Sequence, residues 1–193
     1  MSASCGALVV LPNFPQLVGC RMSDAAVASI RVAIDAIAND PLLCPSRVVS
    51  VAAFCVCAGF AVLASADAGP VVDAILCVGA YADLPSLIEF CIKEEGKGDS
   101  SYGINAALSN FWRTDDPIYR ELFLTELRDD HHLRKGKPNA ELPRLLEVYP
   151  EQGRDFKRLY TDRAFLEHSM RSAFADHEEE SMRLTLTPTR IKT

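Results

Sequence analysis

Charge is distributed very unevenly along this chain. Only three of the 20 Lys and Arg residues, Arg21, Arg31 and Arg47, lie in the first 92 positions, whereas all seven cysteines lie there. A segment with so few charges cannot present most of its surface to water, so other parts of the fold or a partner must cover it. The second half is rich in charges of both signs and can face water directly.

Length and composition bound the class of protein. A chain of 193 residues predicts one domain, 1–193, with a sizeable core. A hydrophobic fraction of 49% and a charged fraction of 24% exclude wholesale disorder. The odd number of cysteines in apolar surroundings predicts reduced thiols in a cytoplasmic protein. Since the first cation is Arg21, we expect no secretory signal peptide.

We predict an all-α fold, an irregular helical bundle with a central, very apolar helix and extended N- and C-terminal arms. Residues 1–22 carry Pro12 and Pro15 and are expected to form the N-terminal arm. Residues 23–92 form the apolar helical half, with helices expected over 23–39, 48–66, 71–81 and from Pro85 onward. The charged loop 93–101 is the best internal boundary.

The charge-free run 48–66 is the predicted central helix. Nineteen residues are long enough to be tested as a membrane span, and a membrane-active helical hairpin is one alternative. The run is rich in alanine and lacks aromatic and basic flanks, which favours a buried helix over insertion. Its small residues Ala58 and Gly59 predict close approach by the backbone of a neighbouring element.

Beyond the loop, residues 102–178 form an amphipathic helical half. Asp116 and Pro117 predict a helix over 117–130, a short helix is expected to end before Pro150, and a break is expected near Thr161. In the tail 179–193, leucine and threonine alternate in the manner of a strand. Leu184 and Leu186 are therefore predicted to dock on a neighbouring subunit.

No group of residues predicts catalysis, a metal or a cofactor. Cys55 and Cys57 stand two apart, so their thiols diverge on a helix, and the chain contains no C-x-x-C, G-x-S-x-G or phosphate-loop motif. His131 and His132 are adjacent and are expected to end a helix. His168 stands beside Glu167, which is spaced for ion pairs along a helix. A small helical enzyme that uses one of these histidines is an alternative.

Two basic clusters provide the best candidates for nucleic-acid contacts. Phe156 and Tyr160, interleaved with the second cluster, could stack on bases, although their spacing is also typical of a core face. The net charge of −6 disfavours a bulk electrostatic footprint for nucleic acid. The clustered cations are Arg134, Lys135 and Lys137, and then Arg154, Lys157 and Arg158.

One short segment has a local resemblance. AYADLPSLIEFC at 80–91, followed by Phe111 and Trp112, is similar to an early segment of rod-shaped plant-virus coat proteins. The helix at 21–34, the second point of likeness, stands in the wrong chain order for that family. We therefore assign no family.

The predicted function is non-enzymatic, namely binding to another protein and above all to copies of itself in a structural or regulatory assembly. Extended arms gain most by docking on another surface, because alone they leave their backbone groups unpaired. A helical coat or nucleocapsid protein that binds RNA is the main alternative.

Overall fold

The computed structural model describes residues 8–93, 100–134 and 140–186. These residues are mostly helical, with one small parallel sheet of two strands. The elements in chain order are α1 (Pro15–Val18), α2 (Asp24–Asn39), β1 (Val49–Phe54), α3 (Val56–Ala68), β2 (Val72–Val78), α4 (Leu84–Lys93), α5 (Ser100–Phe111), α6 (Pro117–Arg134), α7 (Glu141–Val148), α8 (Pro150–Thr161), α9 (Arg163–Asp176) and α10 (Glu178–Arg183).

The chain divides into two compact units. The first comprises Met1–Asp83 together with Arg183–Thr193, and the second comprises Leu84–Met182. The predicted loop 93–101 falls largely outside the described residues. The number of independently folding domains stays a prediction.

The helix predicted at 48–66 is wrong in its first part, and the helix predicted at 71–81 is wrong throughout, so the mostly helical fold is not strictly all-α. β1 occupies the start of the first segment and β2 most of the second, and the two strands pair in parallel from Ser50 with Ala74 to Phe54 with Val78. Both strands contain β-branched residues, which favour the pleated conformation over a helix. The central apolar helix is accordingly shorter than predicted, and corresponds to α3.

In the first unit, α3 packs on both strands and on α2. The predicted helix 23–39 is confirmed as α2, and its buried positions follow the expected helical spacing. Within α3, Phe60 and Leu63 are almost fully buried. This β1–α3–β2 arrangement fixes the residues at the end of β1 between a strand and a helix.

Every regular element described in the second unit is a helix. The predicted helix from Pro117 is confirmed as α6, and the predicted break falls between α8 and α9, where the Asp162 side chain accepts a hydrogen bond from the backbone N–H of Phe165. Aromatic rings fill the core, with Phe123 and Phe156 centroids 5.3 Å apart and Trp112 and Tyr119 centroids 4.9 Å apart.

Both terminal segments differ from simple extended arms. A single helical turn, α1, interrupts the N-terminal segment, because Pro15 is well suited to the first position of a helix. The described part of the tail also contains no strand, although its sequence alternates like one. α10 continues to Arg183, and Leu184 is fully buried. Among the described residues, no helix combines the length and the hydropathy that a membrane crossing requires.

Candidate active site at a strand-to-helix turn

Cys55 is the single residue between β1 and α3. Its backbone angles are φ 60° and ψ −145°, and its side chain is exposed. This region of backbone space is occupied almost entirely by glycine, and a side chain there costs about 1–3 kcal/mol. An exposed cysteine therefore occupies a position where the backbone favours glycine.

A nucleophile held on a sharp turn between a strand and a helix is called a nucleophile elbow. The strained turn lifts the reactive atom above the end of the sheet, and the backbone N–H of the next residue helps to form an oxyanion hole. In this chain that N–H belongs to Val56, the first residue of α3. The first N–H groups of any helix lack partners inside the helix, so they can bind negative charge.

The elbow is anchored to the end of β2. The N–H of Cys55 donates a 2.8 Å hydrogen bond to the carbonyl of Val78, and the N–H of Ala58 donates a 2.9 Å bond to the carbonyl of Cys55. Gly79 follows with φ 72°, and a Cβ built there would lie 3.7 Å from the Cα of Cys55. The chain after β2 thus passes close to the elbow, and its positive φ suits glycine.

Tyr81 packs on the first turn of α3. A Cβ at Gly59 would lie 2.6 Å from Cε1 of the Tyr81 ring, so any larger residue at this point of the helix would displace the ring. The sequence predicted a close approach to Ala58 and Gly59 by a neighbouring backbone. At Gly59 the neighbour is a side-chain ring instead. Both small residues are buried.

The thiols around the elbow differ in their surroundings. Burial raises the pKa of Cys57, and the neighbouring Cys55 and Cys20 raise it further. Burial also raises the pKa of Cys77, whose Sγ lies 3.7 Å from the carbonyl oxygen of Ala58. Cys57 and Cys77 are therefore held as neutral thiols, while Cys55 is the exposed member of the group.

This site could not be found by the G-x-S-x-G pattern, because neither glycine position of that pattern holds glycine here. In A-F-C-V-C, Ala53 and Cys57 occupy the places of the two glycines of G-x-S-x-G, and Cys55 takes the place of serine. The usable signal was a cysteine flanked two positions away on each side by small residues, at the junction of a β-branched segment and an alanine-rich segment.

The histidines predicted as alternative catalytic groups lie in a different unit from Cys55. All four histidines belong to the second unit, whereas Cys55 belongs to the first. His131 and His132 lie in the last turn of α6, as expected, but their side chains are outside the described set. His168 is exposed on α9. The neighbouring Glu167 forms the expected ion pair with Arg163, at 3.1 Å.

The predicted nucleic-acid residues are only partly described. Lys135 and Lys137 lie outside the described residues, as does the side chain of Arg134. On α8, Arg154 and Lys157 are exposed, and Arg158 pairs with Asp162 at 3.0 Å. Phe156 is buried and therefore cannot stack on a base without leaving the core.

Leu184 and Leu186, predicted to dock on another subunit, lie in the first unit. Leu184 is fully buried in the single chain, and the N–H of Leu186 donates a 2.7 Å hydrogen bond to the carbonyl of Ala82. Among the described residues, no group of His, Cys, Asp and Glu is arranged to hold a metal ion.

The sequence matches no protein-family model, and comparisons with curated proteins and with solved structures find no significant similarity.

Proposed function

We propose that the protein is a thiol-dependent acyl-transfer enzyme in which Cys55 is the nucleophile. The observation that carries this proposal is the backbone of Cys55, an exposed non-glycine residue with φ 60° and ψ −145° between a strand and a helix. Strain of this kind persists only where the surrounding structure enforces it, and it clusters at active sites. A cysteine also depends less than a serine on a neighbouring base, because part of it is thiolate near neutral pH.

The chemistry follows from the positions of the atoms. The sulfur of Cys55 attacks the carbonyl carbon of an ester or thioester, and the thiol proton leaves with the departing alcohol or thiol. The negative charge that develops on the carbonyl oxygen is stabilised by the N–H of Val56 and by the positive end of α3. Attack of water or of another acceptor on the resulting thioester then releases the acyl group and restores the thiol.

The test uses p-nitrophenyl acetate, an activated acetyl ester. We expect one acetyl group per chain by intact mass, located on Cys55 by peptide mapping, with a burst of p-nitrophenol. Cys55→Ala removes both signals, whereas Cys77→Ala, which removes a half-buried thiol of β2, leaves them in place. Acetylation spread evenly over several cysteines, or unchanged by Cys55→Ala, would refute the proposal.

A second candidate is the self-association predicted from the sequence, which an uncovered sheet face favours. Cys77 points toward α3, so the alternate residues of β2 point away from it. Phe54, Leu76 and Val78 are 61%, 61% and 51% exposed on that opposite face. Parallel sheets are normally covered on both faces, so this apolar face favours a partner, for which we propose a second copy of the chain.

Acyl transfer and self-association are compatible functions, because they use different parts of the first unit. Cys55 follows the end of β1, whereas the uncovered face lies along the two strands. A cytoplasmic location belongs to the same proposal, since the described cysteines whose state is assigned, from Cys20 to Cys77, are free thiols. The irregular bundle predicted for the whole chain likewise stays a proposal, and the helical packing of the second unit supports it.

A further inference from the structure

Tyr81 has a buried hydroxyl without a hydrogen-bond partner among the described residues. The side chain is 6% exposed, its ring lies against Gly59, and it meets the ring of Phe60 edge to face with centroids 6.1 Å apart. Burial raises the pKa of Tyr81, and Cys57 raises it further, so the hydroxyl is neutral beside the first turn of α3. Burying a hydroxyl without a hydrogen-bond partner costs free energy of folding. We therefore attribute the buried position of Tyr81 to the packing of its ring against Gly59 and Phe60.

The residue after Tyr81 is bonded to the C-terminal segment. The carbonyl of Ala82 accepts the 2.7 Å hydrogen bond from the N–H of Leu186. Two residues earlier, Leu184 is fully buried, and Arg183 pairs with Asp24 of α2 at 3.4 Å. The chain around segment 184–186 is thus fixed to the first unit at Arg183, Leu184 and Leu186, and the contact of Leu186 adjoins Tyr81.

We infer that segment 184–186 positions the nucleophile, because it holds Tyr81 against Gly59 and thereby fixes the first turn of α3 that follows Cys55. This inference rests on the proposed role of Cys55. Gly59 lies four residues after Cys55, about one helical turn, so a ring pressed on Gly59 restrains the N–H groups behind the sulfur. Tyr81 and Leu186 are positioning residues and do not contact the substrate.

The experiment compares Leu186→Pro, which removes the N–H donor, with Leu186→Ala, which keeps it. Hydrogen exchange is measured on the peptide from Gly59 to Leu63 and on a reference peptide from α2. The N–H groups from Gly59 to Leu63 donate to the carbonyls of the first turn of α3, so we expect their exchange to rise roughly tenfold in Leu186→Pro alone, with the α2 peptide unchanged. The rate of Cys55 acetylation should fall by a similar factor, since small misplacements at a reacting centre have large effects.

A second pair of variants keeps the test decisive if Leu186→Pro does not fold. Tyr81→Ala should reproduce both effects, while Tyr81→Phe, which retains the ring, should behave as the parent protein. Unchanged exchange at α3 in Leu186→Pro and Tyr81→Ala would overturn the inference, as would an equal rise in the α2 peptide. If exchange rises as expected but the parent protein is not acetylated, the proposed function fails and the positioning contact stands.

Discussion

At the scale of single residues, Cys55 combines a reactive side chain with an unfavourable backbone. A glycine at φ 60° would relieve the strain of about 1–3 kcal/mol. It would also lose more conformational entropy on folding, a cost of roughly 0.5–1 kcal/mol. The strain energy is larger than the entropy cost of glycine. Cys55 therefore makes the first unit less stable than glycine at this position would. Such a trade is expected where reactivity is selected over stability.

This balance gives a prediction for Cys55→Gly. We expect the free energy of unfolding to rise by about 1 kcal/mol, while acetylation is lost. The control is Cys57→Gly, which places glycine inside α3 and should lower the free energy of unfolding by about the same amount. Urea unfolding followed by circular dichroism measures both. A Cys55→Gly variant less stable than the parent would show that the turn is not strained.

Only part of this site could be predicted from residue types. Small side chains leave room for a neighbour, so Ala58 and Gly59 predicted close backbone approach; the neighbour at Gly59 is the ring of Tyr81, and the backbone approach stays a prediction. The backbone of Cys55 could not be predicted, because its φ depends on the pairing of β1 with β2 and on the bond from Cys55 to Val78. Those partners lie more than twenty residues away along the chain.

At the scale of elements, local pattern predicted the helices but not the strands. The spacing of apolar residues in α2 and α6 repeats every three or four positions, and this repeat is visible without knowledge of any partner. The strands lie in apolar segments where the helical and extended patterns cannot be separated by period alone. Strand formation there was decided by pairing between distant segments, and the β-branched residues were the one available sign.

The junction of α8 and α9 gives a prediction about pH. The N–H of Phe165 holds the pKa of Asp162 below its ordinary value of 3.8, and Arg158 lowers it further. A carboxyl whose pKa is lowered by folding stabilises the protein above its ordinary pKa, and this contribution is lost as the pH falls through the folded value. Asp162→Asn should therefore lower stability at neutral pH, and the difference from the parent should shrink at an acidic pH well below 3.8.

Urea unfolding at the two pH values measures the difference. The control, Asp176→Asn, removes a carboxylate from the last position of α9, where the helix dipole disfavours negative charge. It should not lower stability at neutral pH. If the deficit of Asp162→Asn were the same at both pH values, the charge of Asp162 would not be the stabilising feature.

At the scale of the whole molecule, the uneven charge of the chain has a structural counterpart. Sequence alone indicated that the apolar half must be covered, and α2 and α3 do bury much of it. It could not indicate which surface stays uncovered, because that depends on which face of β1 and β2 receives α3. The uncovered face carries Ser50, Ala52 and Phe54 on one strand, paired with Ala74, Leu76 and Val78 on the other, and contains no charge.

A charge-free face suits a second copy of the same chain. The chain carries a net charge of −6, so two copies repel each other, and contact through an uncharged face brings the fewest like charges close together. Two such faces can pack at the spacing of stacked sheets, about 10 Å, without burying a charge. This arrangement would complete the cover that a parallel sheet requires, and it needs no change in either strand.

Leu76→Glu places a charge at the centre of this face and should keep the chain monomeric. We expect the parent protein to associate with rising concentration in light scattering, and Leu76→Glu to lose this association while its unfolding transition is unchanged. The matched control is Leu42→Glu, which adds the same charge at a leucine that is 89% exposed but lies in the loop before β1. Because both variants have the same net charge, general repulsion affects them equally, and only a contact through the sheet separates them. Association lost equally in both variants would point to net charge, and a parent protein that stays monomeric at high concentration would show that the face is not an interface between copies.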